Sequence, residues 1–137
     1  MSYLAGLVLV VAAAALVWAR RRFLSVRVEG VSMEPTLRPG QRLLARRVEG
    51  TTGDIVIVRN PNATAPNPPL LVKRLVAGGG ERLPAVLGGG LVPAGRIAVL
   101  GDNPRCSVDS RHFGLLRASD VVAVVRSRQR GSGGTPG

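Results

Sequence analysis

Cysteine, histidine and aromatic residues are scarce in this chain of 137 residues. Cys106 is the only cysteine, which excludes an internal disulfide and any metal site built from several cysteines. After Trp18 the aromatic residues are Phe23 and Phe113 alone, so the sequence offers no row of rings on which nucleobases stack. The formal net charge of +11 suits nucleic acid or a membrane surface. With no stacking residues and no zinc-finger spacing, we expect a lipid bilayer and no nucleic acid as partner.

Lysine is as rare as cysteine. Lys73 is the only one, and the other eighteen of the nineteen basic residues are arginine. An arginine guanidinium stays protonated in a protein, whereas a desolvated lysine ammonium can lose its proton. Lys73 lies inside the apolar run Leu70 to Val76, which reads LLVKRLV. Burial there would lower the pKa of the amine, so Lys73 is a candidate general base. The alternative is that Lys73 is an ordinary surface lysine.

The longest uncharged stretch lies at the amino terminus, from Leu4 to Ala19. With the three residues before it, the stretch approaches the roughly 20 residues that cross a bilayer. The n-region of a cleaved secretory signal is positive, and no basic residue precedes this stretch, so we expect an uncleaved single-pass anchor with Trp18 at one interface. Arg20 to Arg22 follow it. The positive-inside rule therefore predicts a cytoplasmic body.

The remaining chain has room for one domain of ordinary size. Short apolar runs alternate with turn signals and no long segment has helical periodicity, which predicts a mainly β fold. The predicted strands are Leu24–Glu29, Arg42–Val48, Asp54–Arg59, Leu70–Ala77, Arg96–Leu100 and Val121–Arg126. Asn60–Pro69, with four prolines, is predicted to be an exposed loop between two strands.

Composition divides the chain into three parts. Residues 1–22 are the predicted transmembrane anchor with its basic flank, residues 23–127 the folded domain, and residues 128–137 a disordered tail. Two glycine triplets, Gly78–Gly80 and Gly88–Gly90, bracket a short interval in the domain. That interval is too short for a further domain, so we expect a compact hairpin.

The first polar motif, Gly30 to Gly40, reads GVSMEPTLRPG and follows the first predicted strand. Ser32 at such a turn can project its hydroxyl from a rigid edge, although most serines in Gly- and Pro-rich turns are caps or turn residues. Lys73 lies downstream in a predicted strand. A neutral Lys73 amine within hydrogen-bond reach of Ser32 could take its proton, which would allow acyl transfer without histidine.

The densest polar stretch runs from Gly101 to Gly114 and reads GDNPRCSVDSRHFG. Interpreted as structure, it is a loop in which Asp102, Asn103 and Asp109 form turns. In the same interpretation Asp109 pairs with Arg111. Interpreted as function, it is a scaffold in which one hydroxyl hydrogen-bonds Lys73 while the ion pair holds the loop rigid. Both interpretations can hold together.

The chain resembles the type I signal peptidase family of serine endopeptidases in three ordered motifs: Ser32-Met33-x-Pro-Thr-Leu, Lys73-Arg74, and Gly101-Asp102-Asn103 with Ser107-x-Asp109-Ser110-Arg111. The resemblance implies a compact signal-peptidase-like β catalytic core, with Ser32 as nucleophile and Lys73 as general base. It also implies that Ser107 orients the Lys73 amine while Asp109 and Arg111 brace the site. Substrates would be precursor proteins whose N-terminal leader or pro-segment is cut after small side chains beside the membrane. No metal or organic cofactor is implied.

Gly30 and Asp102 complete the set of supporting residues. Many bacterial relatives carry a serine two residues before the nucleophile, where its hydroxyl adds to the oxyanion hole, and this chain has Gly30 there. The Ser32 N–H would then carry more of the oxyanion's charge. Loss of one oxyanion donor costs about 10²–10³ in rate, so Gly30 either slows the enzyme or is compensated elsewhere.

Two alternatives remain open at this stage. The Gly101-Asp102-Asn103-Pro104 start of the third motif, the small size and the predicted topology are similar to the nickel-type superoxide dismutase maturation proteases, a short branch of the same family. Those enzymes remove an amino-terminal extension from their precursor. The other alternative is a catalytically silent anchored module or a self-cleaving regulator. A catalytic pair of Cys106 and His112 is not expected, because Ser32 and Lys73 already fill those roles.

Overall fold

Helix α1, Ser2–Arg22, is the predicted anchor. The computed structural model describes residues 2–65 and 68–125 of the chain. By length and composition α1 can cross a membrane, and none of its residues is buried against the rest of the protein. Its last turn consists of Arg20 to Arg22, where the negative end of the helix dipole favours cations. The predicted tail at 128–137 lies outside the described residues.

The described part of the domain is mainly β, as predicted. Its seven strands form one curled antiparallel sheet in the order β1-β2-β7-β3-β4-β5-β6. They are β1 (Phe23–Arg27), β2 (Arg42–Arg46), β3 (Ile55–Arg59), β4 (Leu70–Ala77), β5 (Arg96–Leu100), β6 (Leu116–Arg117) and β7 (Val121–Val125). The six predicted strands all form within two residues of their expected ends. Strand β6 was not predicted, because two residues carry no periodicity.

Strand β3 forms the centre of the core. Ile55 and Ile57 belong to one buried cluster, while Val56 and Val58 belong to a second cluster. Successive side chains of a strand point to opposite faces, so a strand covered on both sides needs an unbroken apolar run. This requirement explains the sequence IVIV. Strand β4 pairs with all five residues of β3 and so lies next to the centre of the core.

The segment between β1 and β2 carries Ser32 in a turn that the core holds. Met33 and Leu37 are both buried in the first cluster, and the Leu37 amide donates to the Met33 carbonyl at 2.9 Å. At the base of the segment, the Gly40 amide donates a 2.8 Å hydrogen bond to the Val28 carbonyl. Because the residue next to Ser32 is packed in the core, the backbone at Ser32 has little freedom to move.

The two predicted loop features are present. Residues 60–65 and 68–69 connect β3 to β4, and a 2.9 Å hydrogen bond from the Asn60 amide to the Pro69 carbonyl closes this loop. Arg82, after the first glycine triplet, pairs with Leu91, just after the second, in a narrow hairpin. The tip of this hairpin includes a short 3₁₀ turn, Ala85–Leu87.

The segment after β5 is the third motif. It contains a 3₁₀ turn at Pro104–Cys106 and a single helical turn α2, Ser110–Phe113, which begins after Asp109. The Asp109 side chain accepts from the Arg111 amide, and His112 Nδ1 accepts from the Asp109 amide at 3.2 Å. This reciprocal capping starts the helix, although four residues are too few for a periodic pattern to reveal it.

Candidate active site

Ser32 and Lys73 line the same cleft, which has a volume of about 320 Å³. Its walls come from the end of β1, the Ser32 turn, the start of β4 and the prolines that precede β4. A larger cleft of about 770 Å³ lies elsewhere, between residues 47–52 and 118–122, and contains none of the predicted site residues. The smaller cleft is therefore where the first two motifs meet.

Lys73 is buried, with 3 % of its surface exposed. It lies in β4 opposite Val56, and its Nζ donates a 2.9 Å hydrogen bond to Ser107 Oγ. Burial lowers the pKa of the Lys73 amine, because the charged form loses its hydration. The Asp109 carboxylate acts in the opposite direction, and the positive charge of Arg111 adds to the lowering. The net shift is downward from 10.5, towards a neutral amine.

Ser107 links Lys73 to Asp109. The Ser107 hydroxyl accepts from Lys73 and donates to Asp109 Oδ2 at 2.9 Å. An ionised carboxylate only accepts hydrogen bonds, so the single hydroxyl proton of Ser107 must point at Asp109. Ser107 therefore presents a lone pair to Lys73, and one N–H of Lys73 points at Ser107. This arrangement leaves the nitrogen lone pair of a neutral Lys73 free for another partner.

Asp109 is fully buried and anchors this network. Its two oxygens also accept from the Arg111 guanidinium at 2.8 and 3.0 Å, from the Arg111 amide at 3.1 Å, and from the Gly101 amide at 2.9 Å. Burial alone would raise the pKa of Asp109, but the hydrogen bonds from Arg111, Gly101 and Ser107 hold that pKa far below its ordinary value. The carboxylate is charged at any pH near neutrality.

Asn103 holds the backbone of the Ser32 turn. Its amide donates to the Ser32 carbonyl at 2.8 Å, and its Nδ2 donates to the Val31 carbonyl at 3.0 Å. The Ser32 amide donates no hydrogen bond within the described residues, so it is free to serve a ligand. The sequence placed Asn103 in the third motif but did not indicate this clamp, because the two segments meet only in the folded chain.

Gly101 lies where the first and third motifs touch. A Cβ at this position would lie 2.8 Å from the Ser32 carbonyl oxygen and 2.5 Å from Ser107 Cβ, and would overlap Ser107 Oγ. Ser32 and Ser107 therefore both pack against Gly101. Because Ser107 also bonds Lys73, the three motifs converge on one site.

Gly101→Ala is expected to weaken both stability and activity. The added methyl must displace the Ser107 hydroxyl or the Ser32 backbone, which costs about 1–3 kcal/mol of unfolding free energy. A shift of about 1 Å in Lys73's partner should lower kcat by about 10²-fold. Thermal melting of the full chain in detergent and single-turnover cleavage test this. Gly78→Ala is the matched control, since its Cβ would meet only the carboxylate of the exposed Glu81 side chain, at 3.0 Å. Equal losses in both variants would contradict the prediction.

Asp102 ties the Ser32 turn to β4. Arg74 donates to both Asp102 oxygens, at 2.8 and 2.7 Å, and Thr36 Oγ1 donates to one of them at 2.6 Å. The hydrogen bond from Arg74 lowers the pKa of Asp102, and the same contact raises the pKa of Arg74. The sequence predicts Asp102 in a turn, but nothing in the sequence indicates Arg74 and Thr36 as its partners.

Asp102→Asn is expected to lower the unfolding free energy by about 1–2 kcal/mol at pH 7, because part-buried Arg74 loses its anion. The folded-state pKa of Asp102 is lowered, so its stabilisation is present above pH 3.8 and is lost as the pH falls through the lowered value. The difference between wild type and variant should therefore shrink in acid. Melting curves over this range check it, with Thr36→Val, which removes one of the three bonds, giving a smaller loss. A difference that grew in acid would refute the assignment.

Gly30 is exposed and has a φ of +73°, in the left-handed region. A Cβ there would meet nothing within 4 Å, so a serine has room but would strain the backbone. This turn geometry is a physical reason for glycine at the position. Cys106 is exposed and His112 is half exposed, with its Nδ1 engaged in the cap of α2.

Comparison with known proteins agrees with the motifs. The sequence matches the family model described as signal peptidase, peptidase S26, over residues 1–86 and 81–129. It is 32 % identical to signal peptidase I V of Bacillus subtilis (strain 168), with 90 % of this chain and 94 % of that protein aligned. Signal peptidase I of Bacillus caldolyticus is also 32 % identical, over 74 % of this chain and 76 % of the relative. Mitochondrial ATP-independent inner membrane protease subunit 1b of Arabidopsis thaliana is 36 % identical, over 62 % of this chain and 57 % of the relative.

Proposed function

The chain belongs to the signal peptidase family, peptidase S26, and on that premise we propose that it is a membrane-anchored serine endopeptidase that removes N-terminal leader peptides from precursor proteins. Ser32 is the nucleophile and Lys73 the general base in this proposal. The observation that carries it is the hydrogen-bond chain from Lys73 through Ser107 to Asp109, at the cleft that Ser32 and Lys73 share. Arg111 keeps Asp109 charged and in place.

The base step follows from the direction of these hydrogen bonds. Burial favours the neutral amine of Lys73, and Ser107 occupies one of its N–H groups. The amine lone pair then takes the hydroxyl proton of Ser32 as Ser32 Oγ attacks the scissile carbonyl carbon. The carbonyl oxygen becomes an oxyanion, for which the uncommitted Ser32 amide is a donor.

The later steps return the proton. The tetrahedral intermediate collapses, the C–N bond breaks, and the Lys73 ammonium protonates the departing amine of the mature protein. This leaves the leader esterified to Ser32. The neutral Lys73 then deprotonates a water that attacks the ester, and the second collapse releases the leader carboxylate and restores the Ser32 hydroxyl.

The shape of the cleft agrees with small apolar side chains on the leader. Val26, Val28, Met33 and Val72 contribute to its lining, and its volume of about 320 Å³ is at the low end for a ligand pocket. Its position a few residues beyond α1 keeps it close to the bilayer surface. These features support leaders cut after small residues beside the membrane.

The proposal is tested with the full chain in detergent micelles and an exported precursor whose leader ends in Ala-x-Ala. We expect one cut after the second alanine. A serine-directed acylating inhibitor should block the cut and add its mass to the peptide that contains Ser32. An intact precursor together with no acyl adduct would reject the proposal and favour a catalytically silent module.

The pH dependence of cleavage reports the base. Lys73 must be neutral to act, so kcat/KM should rise as the pH rises through the Lys73 pKa, and burial sets that value below 10.5. We expect an ascending limb with its midpoint below 10.5 and a plateau above it. His112→Asn removes the only histidine and should leave the limb in place. A limb at or above 10.5, or one that disappears in His112→Asn, would be inconsistent with a buried lysine base.

A second candidate keeps the chemistry and changes the substrate. Arg20 to Arg22 follow α1 and no basic residue precedes it, which favours a domain on the cytoplasmic side. A cytoplasmic enzyme would suit removal of the amino-terminal extension of a nickel-type superoxide dismutase precursor. Exposed Cys106 is the only cysteine, so a membrane-impermeant maleimide applied to intact cells reports the side, with Cys106→Ser as the blank. Labelling before lysis favours exported precursors; labelling only after lysis favours the dismutase precursor.

A further inference from the structure

A groove of about 640 Å³ lies where α1 meets the β domain. We call it the anchor groove. It shares no residue with the Ser32 cleft, and its lining includes Ala13, Val17, Trp18, Arg21, Arg22 and Arg47. Side chains four residues apart lie on the same helix face, so the α1 residues form one continuous wall. This wall is apolar towards the middle of the helix and cationic at its end.

The cationic end of the groove is held in place. The Arg47 amide, just after β2, donates a 2.8 Å hydrogen bond to the Arg22 carbonyl and so joins the domain to the last turn of α1. The Arg22 guanidinium lies 5.3 Å from the centre of the Trp18 ring, and the Phe23 ring meets Trp18 edge-on at 6.3 Å. These contacts fix the Trp18 ring at the boundary between the apolar and the basic part.

The charge of the groove is not balanced by the protein. Within residues 2–65 and 68–125, the arginines that form ion pairs are Arg74 and Arg111, and the groove lining contains no carboxylate. Three arginines that line one groove carry like charges, and an anion bound among them relieves their mutual repulsion. The planar guanidinium fork matches phosphate oxygens in pairs, so a phosphate group is the expected counter-ion.

The apolar end of the groove distinguishes the phosphate of a lipid headgroup from a free phosphate ion. From Ala13 to Arg22 the helix rises about 13 Å, which spans a headgroup and the first part of an acyl chain. Tryptophan side chains favour the membrane interface, so Trp18 places the neighbouring arginines among the lipid headgroups. A free phosphate would leave the apolar wall uncovered. We propose that the anchor groove binds one anionic phospholipid, with its phosphate between Arg21, Arg22 and Arg47 and an acyl chain along the wall from Ala13 to Val17.

The proposal does not depend on peptidase activity, and the protein carries its own probe. Trp18 is the only tryptophan and lines the groove. The full chain is placed in phosphatidylcholine vesicles that contain a small, fixed fraction of phosphatidylglycerol and no other protein. Bromine atoms, which quench tryptophan fluorescence on contact, are carried on the acyl chains of either the phosphatidylglycerol or an equal fraction of the phosphatidylcholine. We expect brominated phosphatidylglycerol to quench Trp18 several-fold more strongly.

Charge-matched variants separate a site from general attraction. Arg21→Gln with Arg47→Gln removes two groove cations and leaves the Arg22 contact with Trp18 intact. Each arginine near an anionic headgroup contributes about fivefold to binding, so the affinity for phosphatidylglycerol should fall by roughly 25-fold. Quenching by brominated phosphatidylglycerol should then fall to near the level seen with brominated phosphatidylcholine. Arg82→Gln with Arg105→Gln removes the same charge from exposed positions outside the groove and should keep the preference.

Three outcomes would overturn the proposal. An equal fall in both double variants would mean diffuse attraction of anionic lipid to a basic protein. Weak quenching by both brominated lipids would mean that a protein segment, such as the α1 helix of a second copy, covers Trp18. If inorganic phosphate abolished the preference at millimolar concentration, or altered Trp18 emission in pure phosphatidylcholine, the site would be one for free phosphate.

Discussion

Ser32→Ala is expected to lower kcat/KM for precursor cleavage by about 10⁴-fold or more while the fold is kept. No other group in the proposed mechanism can form the ester with the leader, and removal of a catalytic serine in a serine protease has effects of this size. The Ser32 hydroxyl makes no hydrogen bond within the described residues and its turn is held by Met33 and Asn103. The unfolding free energy should therefore change by less than about 0.5 kcal/mol.

The control for this variant is Ser25→Ala. Ser25 lines the same cleft and is exposed, but it belongs to none of the three motifs. Single-turnover cleavage of a purified precursor and thermal melting in detergent are measured on both variants. Substantial cleavage by Ser32→Ala, or an equal loss in Ser25→Ala, would remove Ser32 from the role of nucleophile.

Lys73→Met is expected to abolish cleavage to a similar degree without a loss of stability. The variant removes the base but keeps the volume of an unbranched side chain in a buried position. Lys73→Arg should fail as well, because a guanidinium does not give up its proton. If Ser32 and Lys73 act as one unit, the double variant Ser32→Ala with Lys73→Met will be no slower than either single variant.

The stability of Lys73→Met carries a second signature. The folded-state pKa of Lys73 is lowered, so the unfolded chain binds more protons than the folded chain between that value and 10.5. Wild-type stability should therefore rise with pH across this interval, and the methionine variant should lack that part of the rise. We expect the variant to melt at or above the wild-type temperature at pH 7, with the difference narrowing as the pH increases. Retained cleavage, or a variant that melts well below wild type at pH 7, would contradict a buried lysine base.

The long strands of the fold could be predicted from the sequence, whereas its shortest elements could not. The mainly β fold and six of the strands were predictable, because alternating and unbroken apolar runs such as Ile55 to Val58 reflect local burial. Strand β6 and helix α2 were not predictable. They have two and four residues, and pairing with β5 or the cap at Asp109 holds them in place.

In the candidate site, too, some features could be predicted from the sequence and others could not. The sequence predicts Ser32, Lys73, Ser107, Asp109 and Arg111 as site residues, from side-chain chemistry and from the motifs that carry the resemblance. The contacts of Asn103 with the Ser32 turn, and those of Arg74 and Thr36 with Asp102, were not predicted, because each joins residues that are distant in the chain.

The anchor helix, the β architecture and the residue types of the candidate site were predictable from the sequence, since each of these depends on the composition, period or motif of a continuous segment. The tertiary structure alone decided that the Ser107 proton goes to Asp109, that Gly101 has no room for a methyl group, and that arginines from α1 and β2's flank share a groove. Hydrogen-bond direction, close packing and the convergence of charges are properties of segments brought together by folding, and no single segment contains them.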